Sequence, residues 1–217
     1  MPLIAVLRGL PKQDAPAVAR TVLDAGFTVL EVTVRAKSDG FASLNPDALR
    51  CLELLIATHG AQAHIAAGTV KDAADIDVLR SLGIEVALAP NFNADVVAAA
   101  RRAGMAFIPG VETLSEADAA FRAGASGIKV FPCVVKNPDG GTPVYRHSPG
   151  YIRTLTEFMP GPIYPSGGID WASAPAYMSA GAAAINIGGE LYKPGRSLTD
   201  IADRARKLTA AMASYAP

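Results

Sequence analysis

Gly127-Ile128-Lys129-Val130-Phe131-Pro132-Cys133 is a short apolar run with one lysine in its middle and a proline to end it. Runs of this kind read as strands buried on both faces of a parallel sheet. A lysine inside one is expensive, because desolvating an ammonium is among the costliest steps in folding. A buried amine escapes that cost by losing its proton, and a neutral amine is a nucleophile toward carbonyls. The ordinary explanation of a lone strand lysine is different: it snorkels from the strand end or pairs with a carboxylate. The rest of the chain decides between the two.

On either side of this run the same unit repeats. Leu3–Leu7, Thr28–Val34, His64–Ala67, Glu85–Ala89 and Met105–Ile108 are apolar or β-branched runs, and each ends in glycine, proline or arginine. Gly127–Phe131 is the sixth strand, and Pro162–Tyr164 and Ala182–Ile187 are the seventh and eighth. Helical spacing fills the intervals: 11–25, 46–58, 72–82, 93–103, 115–123, 151–158, 171–179 and 198–214. Glycine follows several of these as a C-cap signal, Pro46 suits a first turn, and Ser115 is a plausible N-cap. Pro175 should shorten or kink the seventh helix. Eight buried strands alternating with eight helices predict a parallel sheet closed into a single (β/α)8 barrel spanning 1–217. An open doubly wound sheet is less favoured, because no GxGxxG follows the first strand.

Composition narrows the function. In 217 residues, half of them apolar, 20 basic side chains balance 20 acidic ones. No basic run points to nucleic acid, and no apolar run reaches the length that spans a bilayer. The N-terminal Met1–Leu7 lacks a basic leader region and reads as a first strand, so the expected location is cytoplasmic. Cys51 and Cys133 have neither metal nor redox spacing and read as two buried thiols. His59, His64 and His147 are scattered, which disfavours a metal centre.

In barrels of this class the reactive groups lie at the C-terminal ends of the strands. Here those ends carry Arg8-Gly9, Glu31 to Arg35, Gly68-Thr69, Ala89-Pro90, Pro109-Gly110, Lys129 with Phe131, Ser166-Gly167-Gly168 and Gly188-Gly189. Glu31 occupies a strand interior, where an acid needs a partner. Glu31, Thr33 and Arg35 alternate, so they share one face; if that face is the interior, a carboxylate and a guanidinium meet Lys129 there. The glycine pairs at the last two strands bare backbone N–H groups where such barrels bind phosphate.

These residues resemble a known family. Leu3-Ile4-Ala5-Val6-Leu7-Arg8-Gly9, Glu31-Val32-Thr33-Val34-Arg35, Ala67-Gly68-Thr69-Val70, Pro109-Gly110-Val111, Gly124-Ala125 with Lys129-Val130-Phe131-Pro132, and Ser166-Gly167-Gly168-Ile169 are similar, in order, to the KDPG/KHG (2-keto-3-deoxy-6-phosphogluconate/4-hydroxy-2-oxoglutarate) aldolases. The resemblance implies a class I, Schiff-base aldolase that needs no metal or other cofactor and assembles as a homotrimer. It would cleave a 2-keto-3-deoxy-6-phospho sugar acid to pyruvate and glyceraldehyde 3-phosphate. Lys129 would be the Schiff-base lysine and Glu31 the general acid/base. Arg35 and Thr69 would hold the pyruvyl carboxylate, and Ser166 stands where the family usually has threonine. Arg8, Pro90, Phe131, Gly167, Gly168, Gly188 and Gly189 complete the expected substrate contacts.

The chemistry agrees with these residue types. Carbon–carbon cleavage beside a ketone needs an electron sink, which a protonated imine supplies, and a carboxylate to move protons. An arginine can grip a planar carboxylate with two parallel bonds. Two departures bear on the substrate. Gly188-Gly189 replaces the family's Gly-Ser and is followed by Glu190, whose carboxylate would oppose phosphate if it pointed inward. The segment Val134–Pro149 is longer than the family's loop, and its Lys136, Tyr145, Arg146 and His147 could reach over the mouth and restore contacts; a surface excursion or a trimer contact is the alternative. Leu191-Tyr192-Lys193-Pro194-Gly195 is closer to the branch acting on the galactonate epimer, KDPGal, and Arg35 to the gluconate branch. Two other functions stay open here: an aldolase for an unphosphorylated 4-hydroxy-2-keto acid, and a phosphate-ligand barrel acting as an epimerase or binding protein.

Overall fold

The computed structural model of the chain describes residues 2–35, 40–136, 139 and 141–215. All eight expected strands form, and each is followed by a helix. β1 (Leu3–Leu7), β2 (Val29–Thr33), β3 (His64–Gly68), β4 (Val86–Leu88) and β5 (Ala106–Ile108) pair in parallel in that order. β6 (Gly110–Val111) pairs with β7 (Ile128–Val130), and β7 pairs with β10 (Ile163–Pro165). β11 (Ile185–Ile187) returns to β1.

Two seams close the barrel. At the first, the fifth expected strand does not stop at Pro109. It bends there, because proline offers no N–H to a ladder, and continues as β6. The Lys129 N–H donates to the Pro109 carbonyl at 2.8 Å, and that of Ser126 to Phe107 at 2.9 Å. At the second seam the Ala183 N–H donates to Ile163 at 2.9 Å, and Ser166 bridges Asn186 in parallel register.

Strand alternation sorts the side chains. Leu3, Ala5, Leu7, Leu30, Val32, Ile128, Val130, Ile185 and Ile187 point outward into one core shared with the helices. That core includes Val18 and Val22 of α1 (Ala15–Asp24), and Leu52 and Leu55 of α2 (Pro46–His59). Their neighbours along each strand point into the lumen, where Ala66, Leu88 and Ile108 form a separate apolar cluster with Val86 and Tyr164. The lumen is a packed plug, and the space above it is the mouth.

The remaining helices are α3 (Ala73–Ser81), α4 (Ala94–Arg102), α5 (Leu114–Ala123), α6 (Pro149–Phe158), α7 (Ala174–Ser179) and α8 (Leu198–Ala211). α7 is short and carries Pro175 in its first turn, as its proline predicts. α5 is capped by Thr113 and not by Ser115: the Glu116 N–H donates to Thr113 Oγ1 at 3.2 Å, and the Thr113 N–H donates back to Glu116 Oε2 at 2.9 Å. That reciprocal capping box satisfies two donors, which a cap at Ser115 would not. The segment after Lys129 also differs from a turn-rich loop. It holds a two-stranded hairpin, β8 (Val134–Val135) against β9 (Val144–Tyr145). No helix among the described residues is long and apolar enough to cross a membrane.

Candidate active site

Lys129 sits in the middle of β7 with Ile128 and Val130 facing the outer core, so its side chain enters the barrel. There its Nζ lies 3.8 Å from Glu31 Oε2. Both side chains are buried, at 9% and 1% exposed. The amine also stands 5.7 Å from the centroid of the Phe131 ring, one alternation further along the chain. Glu31 Oε2 has no hydrogen-bond partner. A buried carboxylate oxygen without a hydrogen-bond donor is uncommon in native interiors.

Gly68 makes room for that acid. A Cβ on Gly68 would stand 1.9 Å from Glu31 Oε1, inside any permissible contact. The next residue, Thr69, has φ of +66°, a left-handed conformation rare in residues with a Cβ. Strain of this kind gathers at functional sites, where the surrounding structure holds it.

Above the pair opens a cavity of about 710 Å³. Arg8, Lys129, Phe131, Ser166, Gly167, Gly168, Gly188 and Gly189 of the expected set all line it. Glu31, in contact with Lys129, and Arg35, Thr69 and Pro90 stand outside that lining. The cavity therefore runs from a buried amine toward the glycine-rich ends of β10 and β11. The N–H groups of Gly167, Gly168 and Gly189 donate no hydrogen bond within the described residues.

The profile described as "Aldolase: KDPG and KHG aldolase" matches residues 1–204. The chain belongs to the KDPG and KHG aldolase family. Among curated relatives, the chain is 34% identical over 214 residues to the "Probable 2-dehydro-3-deoxy-6-phosphogalactonate aldolase" of Rhizobium meliloti, covering 99% of this chain and 91% of that one. It is 30% identical over 207 residues to the 2-dehydro-3-deoxy-6-phosphogalactonate aldolase of Escherichia coli, covering 94% and 91%. Among solved structures, one described as "Native KDPGal structure" superposes with a TM-score of 0.83 at 29% identity, covering 99% and 95%. The protein is thus an aldolase, a carbon–carbon lyase, and the reading as an epimerase or simple binding barrel is set aside.

Around this aldolase's amine, the structure revises what Arg35 can do. Its guanidinium is committed to α3. Nη2 donates to both carboxylate oxygens of Asp75, at 2.8 and 2.7 Å, and also pairs with Asp72. Nη1 donates to the Phe41 carbonyl at 2.9 Å, and Nε donates to Asp75 at 3.3 Å. Arg35 and Asp75 are 3% and 7% exposed, so the pair is desolvated and strong only as a pair. In this arrangement its donors face Asp72, Asp75 and the Phe41 carbonyl and not the cavity.

The distal end differs from expectation too. Glu190 does not stand unpaired over the phosphate-binding strands. Arg204 donates to its Oε1 at 3.0 Å, and Lys136 Nζ lies 3.4 Å from its Oε2. Arg196 braces the same loop, donating to the carbonyls of Gly189, Glu190 and Leu191. Of the four residues expected to reach across the mouth, Lys136 alone lines the cavity. Tyr145 is exposed on the hairpin, Arg146 pairs with Glu112 at 3.0 Å, and buried His147 faces Glu112 and Tyr151. Two cations at the cavity, Arg8 and Lys193, have no acidic partner among the described residues.

In the sequence Lys193 stands out only within the galactonate-branch stretch, and Arg196 and Arg204 are not expected at the site. Arg196, Asp200 and Arg204 stand at four-residue steps, and Asp200 pairs with both arginines at 3.1 and 2.9 Å, a ladder visible in the sequence. Asp72 and Asp75 lie far from Arg35 in the chain, and nothing local points to them. Cys133 is buried beside the site. Burial pushes its thiol up to about 12, so it is no rival nucleophile. Among the described residues no group of three or more His, Cys, Asp or Glu side chains is placed to hold a metal ion.

Proposed function

We propose that this chain is a class I aldolase that binds a 2-keto-3-deoxy-6-phospho sugar acid, forms an imine through Lys129 and releases pyruvate and glyceraldehyde 3-phosphate. The observation that carries the reading is one buried amine 3.8 Å from one buried carboxylate at the floor of a cavity. In its neutral form the Lys129 amine attacks the C2 ketone. Glu31, holding the proton the amine gave up, delivers it as the carbinolamine loses water, leaving the protonated imine and the Glu31 carboxylate. Glu31 then takes the proton of the 4-hydroxyl while the C3–C4 bond breaks, its electrons passing to the iminium to give an enamine and the free aldehyde. Protonation of C3 and hydrolysis release pyruvate and restore the lysine.

A phosphorylated substrate is favoured over an unphosphorylated 4-hydroxy-2-keto acid. Arg8 and Lys193 are unpaired cations at the cavity's distal end, and the one acid there, Glu190, is already neutralised by Arg204 and Lys136. For the configuration at C4 we favour the galactonate series. The two relatives described above carry that name. Arg35, the feature closest to the gluconate branch, has its guanidinium turned to Asp72 and Asp75. A homotrimer in the cytoplasm completes the proposal, supported by the apolar surface that Leu114 and Phe158 leave at 38% and 69% exposed; sedimentation at micromolar concentration tests the assembly.

Borohydride added with pyruvate should leave one reduced adduct, on Lys129, located by peptide mass. No adduct in the native chain, or activity surviving Lys129→Met, ends this reading. Lys193→Ala should raise KM for the phosphorylated substrate about tenfold, with much less effect on an unphosphorylated analogue.

A further inference from the structure

Asn186 is the most buried polar side chain that the mechanism above leaves unused. Its neighbours Ile185 and Ile187 face the outer core, so Asn186 points into the lumen. It is 1% exposed, and neither its Oδ1 nor its Nδ2 has a hydrogen-bond partner. A buried amide has four hydrogen-bonding positions, and leaving them all empty is a large penalty that native interiors avoid with ordered water or a ligand.

The register fixes where a partner must come from. Asn186 lies opposite Ile4 on one side and bridges Ser166 on the other. Two residues further along these strands stand Val6 and Gly188, which line the cavity together with Ser166. Asn186 is therefore one residue pair beneath the cavity floor. Elsewhere the lumen is filled by the apolar cluster of Ala66, Leu88 and Ile108. Across β10, Lys129 is in register with Tyr164, the inward residue before Ser166. The amide thus lies beside the cavity-lining Ser166, on the strand that ends in Gly188-Gly189. An amide offers both a donor and an acceptor, which suits water or a hydroxyl and gives an anion no net attraction.

We propose that Asn186 holds a buried water in the barrel floor, and that this water hydrogen-bonds the hydroxyl on the aldehyde half of the substrate, making Asn186 a positioning residue for cleavage. The inference rests on the aldolase reading above. It assigns no role to Asn186 in pyruvate chemistry, because pyruvate lacks that hydroxyl. Asn186→Leu keeps the branched heavy-atom skeleton and removes the water's anchor, and Asn186→Ser shortens the side chain but leaves a hydroxyl that can hold the water.

The test compares two reactions of the same variant: cleavage of the phosphorylated 4-hydroxy-2-keto acid, and exchange of the pyruvate methyl protons with deuterated solvent. Asn186→Leu should lower kcat/KM for cleavage roughly tenfold, the scale of one hydrogen bond, and leave pyruvate exchange within twofold. Asn186→Ser should recover part of the loss. Unchanged cleavage in Asn186→Leu, or an equal loss in both reactions, overturns the proposal. If Asn186→Leu does not fold, Asn186→Ser alone decides it: a loss confined to cleavage supports the role, and any other result removes it. Absence of pyruvate exchange in the native chain would instead sink the aldolase reading itself, so the two failures are distinguishable.

Discussion

At the scale of single residues the site is a set of exclusions. Glu31 can approach Lys129 because Gly68 has no Cβ; an added methyl would sit 1.9 Å from Oε1. Gly68→Ala should therefore displace the carboxylate, lowering kcat by about 10²-fold or more, the scale expected when a positioned acid/base is lost. Overpacking should also cost about 1–3 kcal/mol of stability. Steady-state rates with urea melts on the same sample check both parts, and a fully active Gly68→Ala would deny Glu31 its role. Arg35 obeys a different rule. Replacing it by methionine leaves Asp75 buried without its counter-charge, so the loss should appear first in stability, about 3–5 kcal/mol. Arg35→Met combined with Asp75→Asn should recover most of that loss, because both members of the pair are then neutral. Lys129 and Glu31 were legible in the sequence because a charge inside an apolar strand is a local anomaly. The state of Arg35 was not, since its partners arrive from another strand-to-helix loop.

Elements show the same division. Strands and helices were legible from apolar runs and their glycine or proline stops, because each run buries itself against any parallel neighbour. The bend at Pro109 was not, since it depends on β6 finding β7 across the seam. The cap at Thr113 was present as Thr-x-x-Glu, and the hydroxyl of Ser115 was read in its place. The hairpin β8–β9 escaped because Val134-Val135 and Val144-Tyr145 are too short to signal strands alone. They pair because the chain must return to α6, where the N–H groups of Arg146 and His147 both donate to the Cys133 carbonyl, at 2.9 and 3.1 Å. The hairpin carries Lys136 to Glu190 and Asp170, at 3.4 and 3.3 Å. Lys136→Ala should leave Glu190 less well balanced beside Arg8 and Lys193. Weaker binding of phosphorylated substrate follows, a several-fold rise in KM with kcat nearly unchanged. Unaltered KM would mean that Arg204 alone neutralises Glu190.

For the whole molecule, the titratable groups set the pH window in which the barrel is stable. Burial chiefly lowers the pKa of His147, and Glu112 only partly opposes it; His59 is lowered by burial and by Arg20. Groups depressed on folding contribute stability that is present above their unfolded values and lost as pH falls through the folded ones. For the two histidines that loss begins below about 6.5, the ordinary histidine value. Glu116, held down by the backbone N–H groups it caps, adds a second loss below the ordinary carboxylate range. The thiols act at the other end. Burial pushes Cys51 up to about 11 and Cys133 up to about 12. Raised groups contribute stability that is complete below their unfolded value and lost as pH rises through the folded one. Stability should thus be flat between about pH 7 and 8.5 and fall on both sides. Urea midpoints measured across pH 5 to 10 check the shape. His59→Gln with His147→Gln should flatten the limb between pH 5 and 6.5 and leave the alkaline limb alone. In the native chain at pH 8 neither thiol should react with a disulfide reagent until the barrel opens, and both should then react together. The labelling rate reports global opening, because Cys51 on α2 and Cys133 after β7 lie in one core. Fast labelling of Cys133 alone would instead mean that the hairpin opens locally, exposing the mouth without unfolding the barrel.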